Sequence, residues 1–173
     1  MAATLLQKLQ FKDFPRVYVY NAPADFSAVL EEIRNTATIS TDASCTRNEQ
    51  FAIFFVDDCA AIKRLAPIAA KKAVGDSVLW FAYPKKSSKR YSTDISRDSG
   101  WQPIGDLGFE AVRQIAIDDD WSALRFRRSA FIKTLNRSGA RALSTEGRAR
   151  IKKREPPSMN APKSAKKRAK GTL

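Results

Sequence analysis

Short β-branched or apolar runs alternate along the chain with segments in which apolar residues recur at helical spacing. This pattern predicts strands and helices in alternation. Residues 16 to 20, RVYVY, are β-branched and aromatic, which is typical of a strand. After a short loop, four apolar residues recur at helical spacing and form one stripe: Phe26, Val29, Leu30 and Ile33. A strand, a loop and an amphipathic helix therefore open a βα unit.

Three further runs continue this alternation. Residues 36 to 40 form a short strand candidate, and residues 51 to 56 and 77 to 83 are apolar without alternation. Continuous apolar strands are typical of a parallel sheet that is covered on both faces. The helical segment between the two long runs begins after Asp58, which is placed to cap it. Pro67 predicts a kink or a break in the interior of that helix.

The last part of the apolar pattern predicts a hairpin between two short helices. Residues 109 to 117 and 121 to 128 are strand-like and flank the acidic turn DDD. The alternation directs Leu124 and Phe126 to the core and the arginines to the opposite face, as in a half-exposed or edge strand. Short helices are predicted around Ile104, before the hairpin, and over residues 129 to 137, after it.

This order of elements predicts an α/β fold in a single domain over residues 1 to 136. We expect three layers, with a Rossmann-like, mostly parallel sheet that ends in a C-terminal antiparallel hairpin. Such a hairpin resembles the antiparallel strands at the end of the sheet in class I methyltransferases. The expected fold is therefore a degenerate, methyltransferase-like one. That resemblance concerns architecture and not chemistry.

The net charge of +13 comes mainly from the last part of the chain. Residues 137 to 173 hold 12 of the 31 basic residues and 2 of the 18 acidic ones, so this segment is predicted to be a disordered basic tail. It either binds nucleic-acid phosphates without sequence preference or only keeps the protein in solution. The basic residues of that hypothesis are Arg148, Arg150, Lys152, Lys153, Arg154, Lys163, Lys166, Lys167, Arg168 and Lys170.

Composition also excludes several kinds of site. The chain contains no histidine, which excludes Ser-His-Asp and Cys-His nucleophilic sites and zinc sites with histidine ligands. Its two cysteines cannot complete a four-cysteine zinc site, so no metal site is expected. No apolar run approaches the ~20 residues that span a bilayer. Without a leader-like start, we expect a cytoplasmic protein and no membrane partner.

The loop after the first predicted strand argues against the usual nucleotide cofactors. Dinucleotide and S-adenosylmethionine proteins of Rossmann type need glycines there, so that backbone amides approach the ligand. Here the loop is NAPADF, which has no glycine, and Pro23 lacks an N–H donor. Together with the absence of histidine, this favours a binding protein over an enzyme and leaves any cofactor unidentified.

The loop after the strand at residues 77 to 83 is the candidate site. An apolar run stops at Pro84 and is followed by KKSSKRYSTD, which is rich in cations and hydroxyls. Ligands of open α/β sheets bind at the carboxyl ends of strands, so this loop is placed to hold a phosphate or a carboxylate. Alternatively, it is a solvated loop whose lysines only contribute to solubility. Asp57 and Asp58 pose a similar choice between a metal or ribose site and a helix cap, and we favour the cap.

Four separated motifs, YNAPADF, VLWFAYPKKSS, TDISRD and AIDDDWSALRFRR, occur in this order. In this they resemble a family of small bacterial proteins that is classed as a domain of unknown function. The resemblance covers roughly residues 5 to 136, and it implies a Rossmann-like fold with no established activity to carry across. The matching residues are Asn21, Ala22, Pro23, Pro84, Lys85, Lys86, Ser87, Ser88, Thr93, Asp94, Trp121 and Ser122.

Three functional hypotheses follow. The first is a binding module for an anionic ligand, in which Lys85, Lys86, Ser87 and Ser88 contact the anion while Asn21, Thr93 and Asp94 orient it. The second is a divergent transferase with Asp57 or Asp94 as the base. The third is a nucleic-acid-associated protein that acts through its basic tail.

Overall fold

The computed structural model describes residues 3–44, 48–135 and 141–154 and contains one six-stranded sheet. The strands are β1 (Arg16–Tyr20), β2 (Thr38–Ser40), β3 (Phe51–Phe55), β4 (Val78–Pro84), β5 (Phe109–Ala116) and β6 (Trp121–Arg128). Their spatial order is β2-β1-β3-β4-β6-β5. Neighbours from β2 to β4 pair in parallel, and β6 runs antiparallel to both β4 and β5. The predicted mostly parallel sheet with an antiparallel hairpin is confirmed.

Helices cover both faces of the sheet, which makes three layers. They are α1 (Leu5–Lys8), α2 (Ser27–Arg34), α3 (Cys59–Lys72), α4 (Gln102–Gly105) and α5 (Thr145–Arg154). Apolar residues of α1 and α2 pack on one face, and those of α3 and α4 pack on the other. Strands β3 and β4 are buried throughout, because their successive side chains point alternately into these two cores. None of the described helices is long and apolar enough to cross a membrane.

Helix α3 is continuous through Pro67, so of the predicted kink or break the break is wrong. The proline lies on the exposed side of the helix, and Lys63, whose carbonyl loses its N–H partner, is an exposed residue too. The opposite side carries Ile62, Leu65 and Ala69, which are buried against the sheet. Packing of that side outweighs the missing hydrogen bond.

The sequence pattern places the end of the domain at residue 136. The packed structure extends further, to residue 154. Residues 129–137 were expected to form a helix, but the described residues of this segment, 129–135, contain only a 3₁₀ turn at Ser129–Phe131. Helix α5 lies further along the chain, and its Ile151 joins Ile132, Leu135 and Ala142 in a small buried cluster. The proposed tail after residue 154 lies outside the described residues.

A buried carboxylate fastens α5 to the sheet. Glu110 on β5 is 0% exposed and accepts hydrogen bonds from the backbone N–H groups of Leu143 and Ser144 at 3.0 and 2.7 Å. The Ser144 hydroxyl donates to the same carboxylate at 2.6 Å and accepts from the N–H of Gly147. A side chain on the sheet thus holds the segment just before α5 and the Ser144 hydroxyl, which in turn accepts from an N–H of the first helical turn that would otherwise be unpaired.

Strand β6 lies inside the sheet and not at its edge, so one of the two arrangements proposed for it is wrong. Its Leu124 and Phe126 face the core beside α3, as predicted. The edge strand of the hairpin is β5, whose pairing with β6 is interrupted by a bulge between Ala111 and Arg113.

Candidate functional site at the carboxyl edge

The carboxyl ends of β1 and β3 flank the point at which the strand order reverses. From β1 the chain passes to β2 on one side, whereas β3 and β4 lie on the other side. In open α/β sheets such a switch point is where ligands usually bind. The residues that follow the strands at this edge are Asn21 after β1, Asp57 after β3 and Lys85 after β4.

Residues 85–100, which we call the β4 loop, cross this edge and contact the segments that follow the other two strands. The Arg90 guanidinium forms an ion pair with Asp25, a few residues after β1, and lies 3.4 Å from the Asp120 carboxylate. The Asp94 carboxylate accepts a hydrogen bond of 2.8 Å from the backbone N–H of Cys59, the first residue of α3. The loop therefore lies over the switch point.

Part of the predicted anion-binding set holds the loop in place. Lys85 donates from its backbone to the Asp120 carbonyl at 2.7 Å, and from Nζ to the Asp118 carbonyl at 2.5 Å. The Ser88 hydroxyl donates to the Asp120 carboxylate at 2.7 Å and accepts from two backbone N–H groups, those of Arg90 and Tyr91. These contacts fasten the loop to the turn between β5 and β6.

The other predicted residues differ in their surroundings. Lys86 and Ser87 are exposed and form no hydrogen bond to the rest of the described chain. The Thr93 hydroxyl accepts from the N–H of Ile95 at 3.1 Å, which closes a small turn. Asn21 is exposed and adopts a φ of 52°, a conformation that asparagine tolerates better than most residues.

Hydrogen bonds from Cys59 lower the pKa of Asp94, and the charge of Lys86 contributes to the same shift. The pKa of the Cys59 thiol is raised, first by burial and then by its hydrogen bond to Asp94. A thiolate is the nucleophilic form of cysteine, so this environment does not activate Cys59 at neutral pH. Gly100 lets the loop approach the thiol, because a Cβ there would lie 2.8 Å from its sulfur.

Two acidic residues, Asp58 and Asp118, have structural roles at this edge. Asp58 caps α3, accepting from the N–H of Ala61 at 2.7 Å, which confirms the helix-cap interpretation. Asp118 accepts from the N–H groups of Asp120 and Trp121 and so shapes the turn of the hairpin. No group of three acidic, cysteine or histidine residues in the described chain could hold a metal ion.

Sequence reasoning missed Asp25, Arg90 and Asp120, which together determine how the β4 loop lies. Arg90 was counted among the loop cations, but its two carboxylate partners are 65 and 30 residues away along the chain. No local motif marks such a pairing. The one available signal was that acidic residues follow both β1 and β5, at the edge to which the loop belongs.

The chain matches no protein-family model and no curated protein sequence. Solved structures with a similar chain path include the N-methyltransferase NodS from Bradyrhizobium japonicum WM9, with a TM-score of 0.48 and 11% identity over 72% of this chain and 92% of that one. A putative type 11 methyltransferase from Sulfolobus solfataricus has a TM-score of 0.45 and 8% identity, over 77% of this chain and 95% of that one.

A protein of the NADB-Rossmann superfamily from Streptococcus agalactiae has a TM-score of 0.42 and 8% identity, over 78% of this chain and 72% of that one. Similarities this distant assign no activity to the chain. Its fold class follows from its own strand order and pairing.

Proposed function

We propose that the protein is a Rossmann-like binding module whose ligand, a small molecule with a phosphate or carboxylate group, binds at the carboxyl edge beside the β4 loop. The observation that carries this proposal is the position of the loop. It is fastened across the segments after β1 and β3, at the switch point, by Arg90 and Asp94. A loop that is ordered before binding loses less conformational entropy when the ligand arrives.

The contacts within the loop divide the predicted residues into two groups. Lys86, Ser87 and the neighbouring Lys89 are exposed and contact the anion, while Asn21 orients it from the loop after β1. Lys85, Ser88, Thr93 and Asp94 act indirectly, because they hold the loop. With only two exposed lysines and several carboxylates nearby, binding should be weak and should decrease with ionic strength.

The test is a double charge reversal, Lys86→Glu with Lys89→Glu, in the full chain. Thermal unfolding is followed with inorganic phosphate, ATP and a sugar phosphate, since a ligand at 100 times its Kd adds about 2.7 kcal/mol of stability. We expect at least one of these compounds to stabilise the unaltered protein more than the variant. The matched control reverses Lys63 and Arg64, two exposed cations on α3. Equal stabilisation of the unaltered protein and the double variant would contradict the proposal.

A divergent transferase is the second candidate, and the sheet is the observation that favours it. Strand β6 lies between β4 and β5 and runs antiparallel to both, as one strand does at the end of class I methyltransferase sheets. Asp94 is poorly suited as a base because its pKa is lowered, which leaves Asp57. S-Adenosylmethionine belongs in the same unfolding screen. Stabilisation by this compound and by none of the anions would favour the transferase.

Nucleic-acid binding through the basic C-terminal segment remains a separate proposal. On α5, Arg148, Lys152 and Lys153 are exposed, whereas the Arg150 guanidinium donates to the carbonyls of Ser129, Ile132 and Lys133. Removal of residues 155–173 spares α5 with its exposed cations and is expected to weaken salt-dependent RNA binding. RNA binding that is unchanged after this deletion would contradict a role for the tail.

A further inference from the structure

A second cleft, of about 550 Å³, lies at the opposite, amino edge of the sheet. It is formed where β3 and β4 begin and β6 ends, next to the segment that leads from α1 to β1. Small-molecule sites in proteins commonly have volumes of about 300–1,000 Å³, so the cleft is large enough for an organic ligand. Its lining includes the cations Lys12, Arg125 and Arg127 and the aromatic ring of Phe14.

The cations at this cleft outnumber the carboxylates. Asp76 is the only acidic residue in the described lining, and both of its oxygens accept hydrogen bonds from Arg127 at 2.5 Å. Arg113 on β5 lies directly opposite Arg125 in the β5–β6 pairing. Like charges at such a position repel each other. Within the described chain, Lys12, Arg113 and Arg125 form no ion pair.

Arg125 is more buried than Lys12 and Arg113. It is half-buried, and one of its terminal amino groups donates to the side-chain oxygen of Gln10. Its Nε atom is buried and lacks a hydrogen-bond partner. Burial lowers the pKa of Arg125, and the nearby charge of Arg127 adds to that shift. The carboxylate of Asp76 opposes this shift, but both of its oxygens are engaged by Arg127, so an anion that binds in the cleft would add compensation for the charge of this half-buried guanidinium.

We propose that this amino-edge cleft is a binding site for a small molecule that carries a phosphate group. Arg125 and Lys12 bind the phosphate, since guanidinium and ammonium groups form strong charge-assisted hydrogen bonds with phosphate oxygens. Phe14 and Val78, which also line the cleft, contact the organic part of the ligand. This site is independent of the β4 loop and extends the proposed function to the other edge of the sheet.

The direct test is calorimetric titration of the full chain with inorganic phosphate, adenosine monophosphate and succinate. We expect phosphate and the nucleotide to bind. Arg125→Gln and Lys12→Gln should each weaken that binding about tenfold, as expected when one charge-assisted hydrogen bond is lost. Lys63→Gln, at an exposed lysine on α3, serves as the matched control and should bind like the unaltered protein. Lys12 is exposed, so its variant is expected to fold even where the Arg125 variant does not.

A second measurement uses the repulsion between Arg113 and Arg125. Arg113→Gln removes one of two opposed charges, so it should raise the midpoint of thermal unfolding in buffer without phosphate. In saturating phosphate this advantage should become smaller, because the bound anion compensates the charge of Arg125 in the unaltered protein. A destabilising effect of Arg113→Gln in the absence of phosphate would contradict the electrostatic argument.

The outcomes separate this site from the one at the β4 loop. Phosphate binding that is lost in the Lys86→Glu, Lys89→Glu variant and retained in Lys12→Gln and Arg125→Gln would overturn the amino-edge site and support the loop. The opposite result would support the amino-edge site and count against the loop. Absence of binding by phosphate and the nucleotide, or tighter binding of succinate, would overturn the assignment of a phosphate ligand.

Discussion

The carboxylate of Asp94 accepts a hydrogen bond from the backbone N–H of Cys59 at 2.8 Å, although the two residues are 35 positions apart. Cys59 is the first residue of α3, and Asp58 is the N-cap residue of that helix. The first turn of α3 therefore has two carboxylates of the protein beside it, where an anionic ligand could otherwise bind. An anion at the carboxyl edge has to bind away from this helix, which agrees with contacts to the outer β4 loop.

The same contact predicts how reactive Cys59 is. In a Cys45→Ser background, we expect Asp94→Asn to accelerate alkylation of Cys59 by iodoacetamide at about pH 8. Removal of the carboxylate removes a hydrogen bond and a charge that raise the thiol pKa, while burial remains, so the thiolate fraction increases. Mass spectrometry of the alkylated fraction against time measures the rate. Asp57→Asn is the control, and equal rates in the Asp94 variant and its parent would disprove the coupling.

Glu110 is predicted to be required for docking of α5. Glu110→Ala leaves two backbone N–H groups and one hydroxyl without their buried acceptor, and we expect a loss of at least about 2 kcal/mol in the free energy of unfolding. Urea denaturation measures the loss, and amide hydrogen exchange should show weaker protection in α5. The exposed Glu146, on α5 itself, provides the control Glu146→Ala. Unchanged exchange in α5 would refute this role of Glu110.

Pro67 is predicted to cost stability although α3 tolerates it. Pro67→Ala restores a backbone donor within a continuous helix, at an exposed position where the new methyl group meets no packed neighbour. We expect a gain of about 1–3 kcal/mol, below or near the intrinsic difference between proline and alanine in helices. Thermal or urea unfolding tests this. A variant that is less stable than its parent would mean that proline has a role which the hydrogen bonds do not reveal.

Asp76 is predicted to contribute to acid sensitivity. Its hydrogen bond with Arg127 lowers its pKa in the fold from the ordinary value of 3.8. The stabilisation is therefore present above the ordinary pKa and is lost as the pH falls through the lower pKa of the folded state. Between about pH 5 and pH 2, unfolding midpoints of Asp76→Asn should fall less than those of the unaltered protein. Asp119→Asn, in the exposed hairpin turn, is the comparison, and parallel curves for Asp76→Asn would exclude the contribution.

The central part of the fold was readable from the sequence because its strands are β-branched or continuously apolar runs, and its helices carry apolar residues at helical spacing. Residues 16 to 20 were predicted as a strand and form β1, and the continuous apolar runs became the buried strands β3 and β4. The position of α5 was not readable. Its own side chains include few apolar groups, and a buried carboxylate on β5 and the small cluster around Ile132 hold it instead. Charge composition alone made this segment resemble a tail.

The candidate sites depend even more on contacts between distant segments. The sequence identified the β4 loop, but the division between residues that hold the loop and residues that face solvent follows from Asp25 and Asp120, far away in the chain. The amino-edge cleft has no motif at all. Its lining comes from segments that are far apart in the chain, around Lys12, Val78 and Arg125. The bulge and the β5–β6 register that bring Arg113 opposite Arg125 are not encoded locally either.

The bulge in β5 also bears on how molecules of this protein meet in a concentrated solution. An open sheet has two edge strands to which a strand of another molecule could add, and long, regular, uncharged edge strands favour the growth of fibrils. Here one edge strand, β5, is interrupted after Ala111 and carries the charge of Arg113. The other, β2, is only three residues long. Neither offers a long regular template, so sheet-to-sheet polymerisation is disfavoured by the same irregularity that places the two arginines face to face.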